Sequence, residues 1–138
     1  MPAAPAGYSG TPLAKKLGFK PGFAATYVNA PDDFDALLGE LPDGVKVLKR
    51  LRDDLDLVVC FVTARAELER RLPKLRAALA PAGMLWIAWP KRASGVPTDM
   101  TEDVVRDVAL PTGLVDTKVA AIDATWSGLR LVIRKELR

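Results

Sequence analysis

Leu57-Val58-Val59-Cys60-Phe61-Val62 is an apolar run without a single polar interruption. A strand with one wet face alternates apolar and polar residues. An unbroken run of this length fits a central parallel strand covered on both faces. The spacing predicts that strand over 55–62. On its N-terminal side lies the solvated stretch Lys49-Arg50-Leu51-Arg52-Asp53-Asp54. On its C-terminal side, Leu68, Leu72, Leu75 and Leu79 recur at helical spacing and predict a helix over 64–79. Pro73 should kink that helix or split it in two.

Further out, the same alternation continues. Thr11 as N-cap and Pro12 at the first helical position predict a helix that Gly18 stops, followed by a turn at Lys20-Pro21-Gly22. Strands are expected over 23–28, 45–48 and 84–89, with a short helix over 33–41 between the first two. Asp99 and Glu102 form a capping-box pattern for a helix reaching about Leu110. Strands over 117–125 and 129–134 then close the chain as a hairpin, turning at Ser127-Gly128. Residues 1–8 are expected to be a flexible tail, and 9–138 one domain. The fold class is α/β, a three-layer Rossmann-like, mainly parallel sheet ending in an antiparallel hairpin.

Composition narrows function mainly by exclusion. The chain of 138 residues has 49% hydrophobic and 27% charged residues, enough for a core and a solvated surface. It has no histidine, which removes Ser-His-Asp and Cys-His arrangements and every imidazole base. Its one cysteine, Cys60, excludes an internal disulfide and a thiolate zinc site, so no metal is expected. Inside so apolar a strand, Cys60 is expected to be an inert core thiol. No run spans a bilayer and no signal peptide is visible, so the expected location is cytoplasmic. The net charge of +3 is weak for a nucleic-acid footprint.

Residues 72–87, Leu72-Pro73-Lys74-Leu75-Arg76-Ala77-Ala78-Leu79-Ala80-Pro81-Ala82-Gly83-Met84-Leu85-Trp86-Ile87, together with the terminal hairpin, resemble the late helix and last strands of the methyltransferase version of the Rossmann-like fold. That resemblance implies an architecture, reduced in size, and little about activity. A second resemblance rests on residues 9–18 (Ser9-Gly10-Thr11-Pro12-Leu13-Ala14-Lys15-Lys16-Leu17-Gly18), 89–96 (Trp89-Pro90-Lys91-Arg92-Ala93-Ser94-Gly95-Val96), 101–106 (Thr101-Glu102-Asp103-Val104-Val105-Arg106) and 126–129 (Trp126-Ser127-Gly128-Leu129). They are similar to a family of small bacterial, actinobacterial-type proteins known only as a domain of unknown function. That family brings no activity with it.

The methyltransferase resemblance implies a glycine turn after the first strand and an acidic residue after the second. Here the first turn is Val28-Asn29-Ala30-Pro31-Asp32-Asp33, without glycine, and Lys49-Arg50 follow Leu48. Pro31 removes a backbone donor, and Asp32 and Asp33 set negative charge where a phosphate would sit. Helix capping is the plainer role for both aspartates. No cofactor is therefore expected.

The loop after Trp89 is the candidate ligand site, through Lys91, Arg92, Ser94, Gly95, Thr98 and Asp99. It leaves the carboxyl end of a central strand and mixes cations, hydroxyls and a glycine. Its plainer reading is an ordinary surface loop with a capped helix; as a ligand site, its Lys91 and Ser94 should matter little for stability. Trp126 is the candidate partner contact, with packing on the sheet as the alternative. Arg130, Arg134, Lys135 and Arg138 suggest a charge-protected edge strand. The leading expectation is a non-enzymatic binding or regulatory module on a degenerate methyltransferase-like scaffold, taking a small anion or a protein partner. A small enzyme acting on an anionic substrate, with Lys91 or Asp99 as acid or base, and a weak nucleic-acid binder are the alternatives. A homo-oligomer is compatible with all three.

Overall fold

The computed structural model describes residues 11–138. The expected tail over 1–8 lies outside the described residues. A single six-stranded sheet has the order β2-β1-β3-β4-β6-β5. Here β1 is Ala24–Val28, β2 Lys46–Leu48, β3 Leu55–Phe61, β4 Leu79–Pro90, β5 Leu114–Ala121 and β6 Trp126–Ile133. The first four strands run parallel, and β6 is antiparallel to both β4 and β5. The expected fold class is what the structure has.

β3 is central, and its apolar run is split between two cores. Leu57, Val59 and Phe61 face helices α1 (Leu13–Leu17) and α2 (Phe34–Leu38). Val58, Cys60 and Val62 face α3 (Arg65–Ala78) and α4 (Glu102–Ala109). Strand alternation explains the split, and two covered faces explain why no position can be polar. Each fully buried leucine is worth about 1.5–3 kcal/mol. Leu57, Leu68, Leu72, Leu75 and Leu85 all lie below 2% exposure, so packing on both faces holds the layers.

Several local expectations need correction. α3 is one helix and is not split at Pro73, which lies inside it. Pro73 is exposed, so water can satisfy the carbonyl whose partner it removes, while buried Leu72 and Leu75 hold the helix on either side. α1 begins after Pro12, with no side-chain cap from Thr11. Asp33 stands at the N-cap of α2 but makes no capping hydrogen bond.

The terminal hairpin turns at 122–125 and not at Ser127-Gly128, which lie within β6. One Asp123 carboxylate oxygen accepts from the backbone N–H groups of Thr125 (2.8 Å) and Trp126 (2.7 Å), which builds the turn. Gly128 has a different purpose. A Cβ there would come within 3.0 Å of the Trp86 ring, so glycine makes room for that indole.

Candidate functional site

The chain leaves β1 towards β2 and returns on the other side to β3. The crevice outside the carboxyl ends of β1 and β3 is thus the switch point, where open α/β sheets receive ligands. Here it is bridged by the protein itself. The Asn29 side-chain amide donates to Glu67 Oε2 at 3.2 Å, and the Thr63 backbone N–H donates to Glu67 Oε1 at 3.4 Å. Arg71 pairs with the same carboxylate at 3.4 Å. Asn29 follows β1 and Thr63 follows β3, so Glu67 spans from one strand end to the other. Asn29 has φ of 57°, a left-handed conformation its short polar side chain tolerates.

One strand further along the same edge, outside β4, the sheet is open. A cleft of about 680 Å³ lies between the end of β4 and the start of α4. Lys91, Arg92, Gly95, Thr98 and Asp99 all line it, and Ser94 does not. Trp89, buried at 6% exposure, forms part of its wall.

Most of the polar groups there are already engaged. The Lys91 ammonium donates to the Asp123 carbonyl at 2.7 Å. The Ser94 hydroxyl donates to the Lys91 carbonyl at 2.6 Å and accepts from Val96 N–H at 3.2 Å. The Thr98 hydroxyl donates to the Thr63 carbonyl and accepts from Met100 N–H. Asp99 Oδ1 accepts from Arg65 N–H at 2.8 Å. Arg65 is the first residue of α3, so Asp99 caps that helix from a distant loop. It does not start α4, whose N-cap is Thr101, with its hydroxyl accepting from Val104 N–H at 3.1 Å. The loop is therefore tied by hydrogen bonds to the start of α3, to the end of β3 and to the hairpin turn. Among the described residues no hydrogen bond or ion pair engages the Arg92 side chain, which is exposed, and Gly95 has φ of 77° with open space around it.

Sequence reasoning missed Thr101, Glu102 and Ser127, which also line the cleft. The pattern Thr101-Glu102-Asp103-Val104 carried a signal for the first, as a capping threonine before an amphipathic run. Ser127 was obscured by the misplaced turn.

Trp126 is half-buried, with its ring edge-on to Phe61 at 5.0 Å. Cys60 is fully buried, and burial pushes its thiol up to about 12. The C-terminal cations do not sit on an edge strand, since β6 lies between β4 and β5. Arg130 donates to the Thr117 hydroxyl, Arg134 pairs with Glu136, and Arg138 donates to the Ile133 carbonyl. Among the described residues there is no cluster of three or more side chains suited to a metal, and no helix long and apolar enough to cross a membrane.

No family model matches the sequence, and no curated protein sequence does. Solved structures do resemble the fold. A SAM-dependent methyltransferase from Aquifex aeolicus superposes with a TM-score of 0.63 at 19% identity, over 86% of this chain and 87% of that one. Aeropyrum pernix fibrillarin, with S-adenosyl-L-methionine natively bound, gives 0.56 at 14% identity, over 87% and 73%. Magnesium protoporphyrin IX methyltransferase from Synechocystis PCC 6803, with SAH bound, gives 0.57 at 10%, over 88% and 78%. At these identities the likeness is one of fold, and the scaffold is methyltransferase-like.

Proposed function

We propose that this chain is a non-enzymatic, cytoplasmic binding or regulatory module that uses a methyltransferase-like scaffold to take a small anion or a protein partner in the cleft outside β4. One observation carries the reading. The switch-point crevice is bridged by Glu67, between Asn29 and Thr63, while the neighbouring cleft is open. A carboxylate tied to both strand ends competes with any ligand that needs the Thr63 N–H or the Asn29 side-chain amide. The cleft offers Arg92 as an uncommitted cation and Gly95 as a point of close backbone approach. The two groups considered as acid or base, Lys91 and Asp99, are each held in a hydrogen bond to the main chain, which favours a structural role for them.

Calorimetric titration with S-adenosylmethionine, S-adenosylhomocysteine and NAD tests the first half. No saturable heat is expected at micromolar to millimolar ligand, and micromolar binding of any of them overturns the reading. Mass spectrometry of material co-purifying with the protein, repeated for Arg92→Ala, tests the second. A ligand or partner that persists unchanged on that variant moves the site elsewhere.

A further inference from the structure

The cleft outside β4 holds charges of both signs that do not meet. Lys91 and Arg92 directly follow β4, while Glu102 opens α4 and Asp99 stands just before it. All four line the cleft, yet among the described residues no ion pair joins either cation to either carboxylate. Separate anchors keep the two ends apart. The Lys91 backbone N–H donates to the Thr125 carbonyl at 2.7 Å, and its ammonium donates to the Asp123 carbonyl at 2.7 Å, so the cationic end is tied to the hairpin turn. Asp99 Oδ1 is tied to the start of α3 through the Arg65 N–H. Each anchored group keeps spare capacity: the ammonium has further donors, and the carboxylate has a second oxygen. Glu102 shares its partner Arg106 with Asp103 and Asp116, so three carboxylates draw on a single guanidinium. Residues 1–10 contain no Asp, Glu, Lys or Arg, so they add no charged side chain to either end.

We propose that the cleft takes a zwitterion whose ammonium and carboxylate are held apart by an apolar body, the chemistry of a short apolar peptide with free ends. This rests on the reading of the cleft as the binding site and names its ligand. Arg92 and Lys91 receive the carboxylate, and Asp99 and Glu102 receive the ammonium. Between them the lining is apolar: Trp89 and Met100 are buried, and Val96, at 38% exposure, leaves hydrocarbon uncovered. Two cations against two carboxylates make the charged lining neutral as a whole. A ligand of one sign gains at one end and loses at the other, whereas a zwitterion gains at both. Local duties explain part of the set, since Asp99 caps α3, Lys91 braces the turn, and an acidic residue suits the first turn of α4. They give Arg92 no task, and they do not explain opposite charges facing one cleft unpaired. The anchors also fix Lys91 and Asp99 before any ligand arrives, which lowers the ordering cost of binding. A single amino acid carries both charges on one carbon. A cleft of about 680 Å³, with cations after β4 and carboxylates at α4, suits a ligand with a peptide unit between its charges.

The test uses leucyl-leucine as probe, in calorimetry and amide NMR at low ionic strength. N-acetyl-leucyl-leucine, which lacks the ammonium, leucyl-leucinamide, which lacks the carboxylate, and free leucine run in parallel. Leucyl-leucine is expected to bind saturably and to shift amides within 89–102. Each of the other three should bind at least tenfold more weakly. Arg92→Ala should weaken leucyl-leucine at least tenfold and leave leucyl-leucinamide unchanged. Asp99→Asn/Glu102→Gln, which keeps an oxygen for the Arg65 N–H, should weaken leucyl-leucine to the level of its N-acetyl derivative. Should that double variant fail to fold, Arg92→Ala decides, because its exposed side chain holds nothing among the described residues. Equal binding of N-acetyl-leucyl-leucine would overturn the zwitterion and leave the cleft as an anion site, so the reading beneath it would survive. Equal binding of free leucine would overturn the separated charges. No saturable binding of leucyl-leucine would overturn the inference alone, since the co-purification test with Arg92→Ala judges the cleft separately. Saturable binding that shifts amides elsewhere, or that Arg92→Ala leaves undiminished, would overturn it too.

Discussion

Two neighbouring crevices on the carboxyl edge of one sheet have opposite fates. Between β1 and β3, the protein's own Glu67 joins both strand ends. Outside β4, an eleven-residue loop stands away from the sheet and leaves a cleft of about 680 Å³. The difference lies in connection length and chemistry. α3 follows β3 after only three residues, 62–64, so its first turn carries Glu67 directly over the crevice. Between β4 and α4 lie residues 91–101, long enough to arch outward, and Asp99 and Thr98 pin the far side of the arch to α3 and Thr63. A topology that resembles methyltransferases thus closes the switch point and opens its neighbour. Where a fold offers a ligand site depends on what the adjoining side chains do with the strand ends.

The largest expected effect concerns β3, the central strand, which ends at the bridged crevice and pairs with β4 beside the open one. Burial pushes the Cys60 thiol from 9.0 up to about 12. The folded state therefore holds its proton more tightly than the unfolded state does. That contribution is fully present below pH 9 and is lost as pH rises towards 12. At 1.36 kcal/mol per unit it amounts to at most about 4 kcal/mol. Tyr27, raised from 10.0 to about 12 by burial and the Asp35 charge, adds a smaller loss beginning near pH 10. Urea unfolding measured from pH 8 to 11 should show falling stability, with a shallower slope for Cys60→Ala. An identical slope would mean that water reaches β3 from one of the crevices.

Next in size is the pin between the two regions. Asp99→Ala removes the remote cap of α3 and should cost about 1–2 kcal/mol, the range for a lost N-cap. Helix α3 should then show faster amide exchange at Arg65 than wild type. A cost near zero would detach the cleft from α3, and the contrast between a pinned arch and a bridged crevice would fail. Glu67→Gln is a smaller change. Its ion pair with Arg71 is partly exposed, so the stability loss should stay within about 1 kcal/mol. Calorimetry on that variant should still show no S-adenosylmethionine binding, because Pro31 and Asp32 remain in the first turn. Binding gained by this one change would make Glu67 the sole barrier.

How much of this was legible follows from the range of each interaction. β3 was readable because both of its faces are buried, leaving a contiguous signature. The cleft was readable in outline, since strand ends and loops have local markers. The roles of the loop residues were not. Asp99 looks like a local cap in sequence, but its partner, Arg65, is far away in the chain. Ser127-Gly128 looks like a turn, but Gly128 answers to the Trp86 ring packed against it. Glu67 carried no mark of its role, because a helix-surface glutamate is ordinary until Asn29 is placed beside it.

The smallest effect tests the bridged crevice from behind. Tyr27 lies near the end of β1, its ring edge-on to Phe34 at 4.9 Å, and its hydroxyl is buried without a hydrogen-bond partner among the described residues. A buried unpaired hydroxyl costs free energy that phenylalanine avoids while keeping the ring contacts. Tyr27→Phe should therefore leave stability unchanged or raise it by up to about 1 kcal/mol. If the first crevice is as closed as Glu67 makes it, no ligand reaches that hydroxyl, and the variant should match wild type against every anion tried. A destabilised variant would show that the hydroxyl has a partner in solution. A stable variant with altered ligand affinity would place a ligand beside β1, and the contrast between the two crevices would be lost.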